Sequence, residues 1–96
     1  MSEKLSYPLI ALNFKVYLES IGKNALKLAK IAEDVAREYG VSVMVAPPLL
    51  DLEKVVKEVS IPVFAQHVDS YSPGGHTGAI VVEDVKAVGA MGSIVN

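Results

Sequence analysis

The sequence predicts an α/β fold built on a parallel sheet, in the order β-α-β-α-β-α-β. Three observations carry this reading. Apolar runs of strand length recur at Pro8 to Asn13, Val41 to Ala46, Ile61 to Gln66 and Met91 to Val95. Segments of helical period separate them, and all the connections but one are short. Continuously apolar strands with helices between them are the mark of strands buried on both faces and joined by crossovers. Two architectures share this order, an open doubly wound sheet and part of a (β/α) barrel.

Pro8 to Asn13 reads as the first strand, apolar throughout and too short for a helix. A long helix follows from about Gly22. Ile21, Ala25, Leu28, Ala32, Val35 and Tyr39 step by fours and threes onto one face, which is expected to point inward. Glu33 and Arg37 form an i,i+4 pair, and Gly40 stands where a left-handed residue ends a helix. Val41 to Ala46 is rich in β-branched residues and is stopped by Pro47-Pro48. A shorter helix is expected from Asp51, its N-cap, to Val59, with Leu52, Val55, Val56 and Val59 inward. In the third strand, Ile61 to Gln66, Pro62 is tolerable only near the start. Residues 67–80 form a long loop with both histidines and three glycines. A short helix at Val82 to Val88 and the strand Met91 to Val95 complete the series. No helix follows to cover that last strand, so the chain is expected to be cut from a larger fold.

The composition narrows the function. The chain has 96 residues, 9 Lys+Arg against 11 Asp+Glu, and a net charge of −2. That is at most one domain, with no basic excess to displace counterions, so no nucleic-acid partner is expected. Apolar residues make up 51% of the chain, enough to build a core. No apolar run approaches the roughly 18–20 residues of a membrane span. There is no cysteine, so disulfides and thiolate metal sites are excluded. With no secretory pattern at Met1-Ser2-Glu3-Lys4, a cytoplasmic location is expected.

In parallel α/β folds ligands bind outside the carboxyl ends of the strands. Those ends present Asn13 and Lys15, then Pro47-Pro48, then Gln66, His67 and Asp69, and last Asn96. In extended chain Asn13 and Lys15 fall on one side. An ammonium beside an amide suits a phosphate, or an oxygen that gains negative charge during reaction. The competing reading is a strand-end lysine that only reaches solvent. His67, Asp69 and His76 fit no standard metal-ligand spacing, and no metal is assigned. Pro73-Gly74-Gly75-His76-Thr77-Gly78 matches neither a Walker loop nor a dinucleotide fingerprint, and its length suits a contact loop.

The chain closely resembles the N-terminal part of the triosephosphate isomerase family in its shorter, archaeal-type form. The motifs run through the whole sequence in order: Ala11-Leu12-Asn13-Phe14-Lys15, Val45-Ala46-Pro47-Pro48, Phe64-Ala65-Gln66-His67-Val68-Asp69, Gly75-His76-Thr77-Gly78-Ala79, and Gly89 through Asn96. The resemblance implies a parallel (βα)₃β segment of a TIM (β/α)₈ barrel, truncated after strand four, with residues 1–96 as the N-terminal part of one barrel domain. It implies a glycolytic and gluconeogenic isomerase acting on triose phosphate by proton transfer through an enediolate, with no cofactor. Asn13, Phe14 and Lys15 then match the substrate-binding segment, Lys15 as the catalytic cation. Gln66, Thr77 and Gly78 match the subunit interface of a homo-oligomer, dimer or tetramer. The family's electrophilic histidine would follow directly after Asn96, and its glutamate base later still. This chain alone is therefore expected to be inactive. The alternative is a non-catalytic half-barrel that serves assembly or phosphate binding.

Overall fold

A computed structural model describes residues 8–95 of the chain. The strands are β1 (Leu9–Asn13), β2 (Ser42–Ala46), β3 (Phe64–Ala65) and β4 (Gly92–Ser93). The helices are α1 (Lys23–Tyr39), α2 (Leu52–Glu58) and α3 (Val82–Ala87), and single 3₁₀ turns lie at Leu18–Ser20 and Leu49–Asp51. This is the order the hydrophobic pattern predicts. Asn96 and the residues before Pro8 lie outside the described residues, and with them the strand-end position expected at Asn96.

All the pairing is parallel. Leu9 lies opposite Ser42 and the register runs to Asn13 opposite Ala46. Phe64 lies opposite Gly92 and Ala65 opposite Ser93. A single bridge from Val45 to Val63 joins the two pairs. There the Val45 N–H donates to the Pro62 carbonyl at 3.1 Å; on the other side of the same segment the Met91 N–H, leading into β4, donates to the Val63 carbonyl at 2.8 Å. Neighbours in sequence are thus neighbours in space. A doubly wound sheet reverses its order partway, and no reversal occurs among the described strands.

β3 and β4 are shorter than predicted. Pro62 has no N–H to offer a neighbour, so regular pairing in β3 begins only after it. β4 is pinned where the chain is smallest. A Cβ at Gly92 would fall 2.8 Å from Cε2 of Phe64, so glycine there leaves room for that ring.

The inward face of α1 differs from the predicted one. Ala25, Ala29, Ala32 and Ala36 are buried, whereas Ile21, Leu28, Val35 and Tyr39 are exposed. The apolar stripe is broad enough to face two ways. Its alanines pack among Val45, Val55, Ile61 and Val63, the fully buried centre of the core. Its larger side chains, Leu28, Ile31 and Val35, instead join Ile10, Leu12 and Val43 around an apolar groove of about 550 Å³ beside β1. Periodicity reports that a helix has an apolar side; it does not say which neighbour covers each part.

Gly40 ends α1 as expected. It adopts φ 63° and donates its N–H to the Ala36 carbonyl, which also accepts the Val41 N–H at 3.2 Å. Asp51 does something else than predicted. Its side chain makes no cap hydrogen bond to α2; one carboxylate oxygen accepts the Gly22 N–H at 3.0 Å. A negative charge is thereby placed at the N-terminus of α1, where the helix dipole favours it.

Among the described residues Glu33 is the one buried charged side chain. It is 7% exposed, against 61% for Arg37, whose guanidinium lies 3.7 Å away. Its carboxylate accepts the Ser60 N–H and, at 2.9 Å, the Ser60 hydroxyl, so α1 is tied to the turn after α2. Burial pushes this carboxyl up, but the two Ser60 hydrogen bonds, with Arg37 and Lys30, outweigh it and hold it below its ordinary value of 4.5. A depressed folded-state value means stability that is full above the ordinary value and fades as pH falls through the folded one. Glu33→Ala is expected to cost about 1–3 kcal/mol at neutral pH and to flatten the acid limb of stability. Urea unfolding at neutral and acid pH measures both; an unchanged midpoint at neutral pH contradicts the assignment.

Candidate functional site

The carboxyl end of β1 turns sharply. The Phe14 N–H still donates to the Ala46 carbonyl at 3.0 Å, which continues the pairing with β2. Lys15 then adopts φ 57°, the only positive value among the described non-glycine residues, and its N–H donates to Asn13 Oδ1 at 3.0 Å. Asn13 and Lys15 therefore do not share a side of an extended strand. A side-chain-closed turn brings them to one place, and a left-handed lysine is uncommon enough to mark a built feature.

Phe14 faces the other way. Its ring is buried in the core, and its carbonyl accepts the buried Ser20 hydroxyl at 2.7 Å. The resemblance places Phe14 in the substrate-binding segment through its backbone, and strand alternation sends its side chain into the hydrophobic layer. What it contributes is anchorage of the segment between Asn13 and Lys15.

Gln66 has a role that its spacing did not announce. Its amide Nε2 donates to the Lys15 carbonyl and to the Ala46 carbonyl, both at 2.9 Å, and lies 3.4 Å from Asn13 Oδ1. One side chain from the end of β3 thus clasps the ends of β1 and β2. Asn13, Lys15, Val16, Gln66 and His67 line a pocket of about 310 Å³ at these strand ends. This pocket, not the larger apolar groove beside β1, gathers the chemistry.

The loop at 67–80 is closed at its base. Asp69 donates its N–H to the Ile80 carbonyl at 2.7 Å, and its Oδ2 accepts the Ile80 N–H at 2.8 Å. Its Oδ1 lies 2.7 Å from His67 Nε2. The Ile80 N–H and then His67 hold the Asp69 carboxyl below its ordinary range. Farther out, Tyr71 stacks on His76 with centroids 4.7 Å apart, and Gly78 takes φ 80°. His67 and His76 thus serve different contacts. Thr77 and Gly78 are exposed and do not line the Lys15 pocket.

The triosephosphate isomerase family model matches residues 8–96. The chain belongs to the triosephosphate isomerase family. It is 53% identical over 96 residues to the triosephosphate isomerase of Methanobacterium bryantii, covering 100% of this chain and 42% of that protein. It is 56% identical over 89 residues to that of Methanothermus fervidus, covering 93% and 40%, and 48% identical over 92 residues to that of Pyrobaculum islandicum, covering 96% and 40%. The chain spans about two fifths of the length of these relatives. Among the described residues no helix is long and apolar enough to cross a membrane.

Within this isomerase-family fold Gln66 is a positioning residue for the Lys15 turn. Gln66→Leu keeps the bulk and removes both donated hydrogen bonds. The amides of Phe14 and Lys15 are then expected to exchange with solvent roughly tenfold faster, as for the loss of about 1.4 kcal/mol of local stability. Hydrogen exchange followed by NMR reads this directly, and unchanged protection at both amides refutes the clasp.

Proposed function

We propose that this chain is the N-terminal (βα)₃β part of a TIM-barrel triosephosphate isomerase, the enzyme that interconverts dihydroxyacetone phosphate and glyceraldehyde 3-phosphate. The observation that carries the reading is the convergence of Asn13, Lys15 and Gln66 on one pocket at the carboxyl ends of consecutive parallel strands. In barrels this is the catalytic face. Lys15 is the cation that meets the phosphate and the negative oxygen of the enediolate, and Asn13 fixes its backbone. In this isomerase a glutamate base, a neutral histidine and a closing loop complete the site. That remaining machinery belongs to the part of the family barrel beyond this sequence.

The partner reading is a homo-oligomer, dimer or tetramer, through the loop at 67–80. Thr77 and Gly78 stand exposed on it. A second, mostly apolar groove of about 590 Å³ lies beside the Lys15 turn, between Val16, Ile21, Leu49 and Leu50. Such a groove suits a neighbour's loop tip inserted next to the lysine. Gln66, read from the resemblance as an interface residue, serves that interface by holding the groove's inner wall. A cytoplasmic location accords with a substrate of central carbon metabolism.

The test is a fusion. This chain joined in frame to the remaining part of the Methanobacterium bryantii enzyme is expected to fold and to turn over glyceraldehyde 3-phosphate in a coupled assay. A folded, oligomeric fusion without turnover would refute the reading.

A further inference from the structure

His67 lines the same pocket as Lys15, and nothing in the reading above gives it a task. Its Nε2 is committed to Asp69, 2.7 Å away. Asp69 is itself immobilised by the Ile80 N–H, which helps to keep it a carboxylate. The ring's other nitrogen, Nδ1, is left over. In the neutral ring with its proton on Nε2, Nδ1 is an acceptor; in the imidazolium it is a donor. One protonation therefore reverses what the ring offers to an anion.

We propose that His67 is a second, titratable ligand for the anion that Lys15 attracts, adding a cationic N–H donor at the pocket mouth when protonated and an unfavourable acceptor when not. The proposal rests on the reading of Lys15 as the cation for a phosphate-bearing substrate. Among the described residues, three charged groups share a contact or a pocket with His67. Lys15 comes from the turn after β1, Asp69 from its own loop, and Asp51, with His67, lines the neighbouring groove. Lys15 disfavours a positive charge on the ring, whereas a bound anion, Asp69 and Asp51 favour it. The gain is that of an exposed charge pair.

Sulfate is the suitable probe, since its charge stays constant where phosphate's changes. Isothermal titration of sulfate into the 96-residue chain, at fixed ionic strength, is compared near pH 5.5 and near pH 8. The chain is expected to bind roughly threefold to fivefold tighter at the lower pH. His67→Gln should bind equally at both, while His76→Gln, altering the only other histidine, should keep the gain. Circular dichroism confirms folding, and His67→Asn replaces any His67→Gln that fails. Equal affinity of the parent chain at both pH values overturns the proposal, as does the same gain in His67→Gln or no sulfate bound at the lower pH. Lys15→Met separates the two readings. Binding that survives it unchanged refutes the role of Lys15, whereas a flat pH response with Lys15-dependent binding refutes only that of His67.

Discussion

A coupled assay of the purified 96-residue chain is expected to show no isomerase turnover. The pocket at the strand ends is lined by Asn13, Lys15, Val16, Gln66 and His67. It holds a cation and amides, but no carboxylate placed to remove a proton from carbon. His67 is tied to Asp69. Proton transfer between adjacent carbons needs a base within hydrogen-bond reach, and groups that act as a unit lose nearly everything when one is missing. The expected loss against the fusion is many orders of magnitude. Turnover that copurifies with the chain, and disappears in Lys15→Met, would show that a complete site forms without the rest of the barrel.

In the fusion, Lys15→Met is expected to lower kcat/KM by at least about 10²-fold, the scale seen for other preorganised charge groups. Methionine keeps the length and removes the charge. Both substrate affinity and turnover should suffer, because the proposed role has the ammonium meet phosphate before reaction and the enediolate during it. Lys15→Arg should rescue poorly, since a planar guanidinium cannot put a compact charge at the same point. The turn sharpens this expectation. Lys15 sits at φ 57°, with its N–H on Asn13 and its carbonyl on Gln66, so the side chain leaves from a fixed origin. Lys86, exposed on α3, should tolerate methionine with little effect. Steady-state kinetics of the three variants, with circular dichroism to confirm folding, decides the matter. A folded Lys15→Met enzyme with near-normal kcat/KM would leave the family likeness as a statement about fold alone.

Element type and order were legible from local pattern, because they depend on short-range chemistry. The β-branched run at Val41 to Ala46, the stop at Pro47-Pro48 and the left-handed Gly40 need no distant partner to be read. Asn13 and Lys15 were legible as a pair for the same reason: both stand at the end of the first strand. Family membership was legible in the ordered motifs, and the comparisons bear it out.

What needed the tertiary structure was each feature fixed by residues far apart in sequence. Which side of α1 is buried depends on the distance at which alanines let it approach α2 and the sheet. Asp51 could be read as a local cap, but it bonds Gly22, 29 residues away. Gln66 reaches back 51 residues to the Lys15 carbonyl and 20 to Ala46. Glu33 meets Ser60 across 27. The convergence of Asn13 and Lys15 comes from a turn, not from strand alternation, and that turn is held by Gln66 from another strand. Periodicity and spacing describe what a segment offers; parallel strands, whose neighbours are a crossover apart, decide which distant group accepts it.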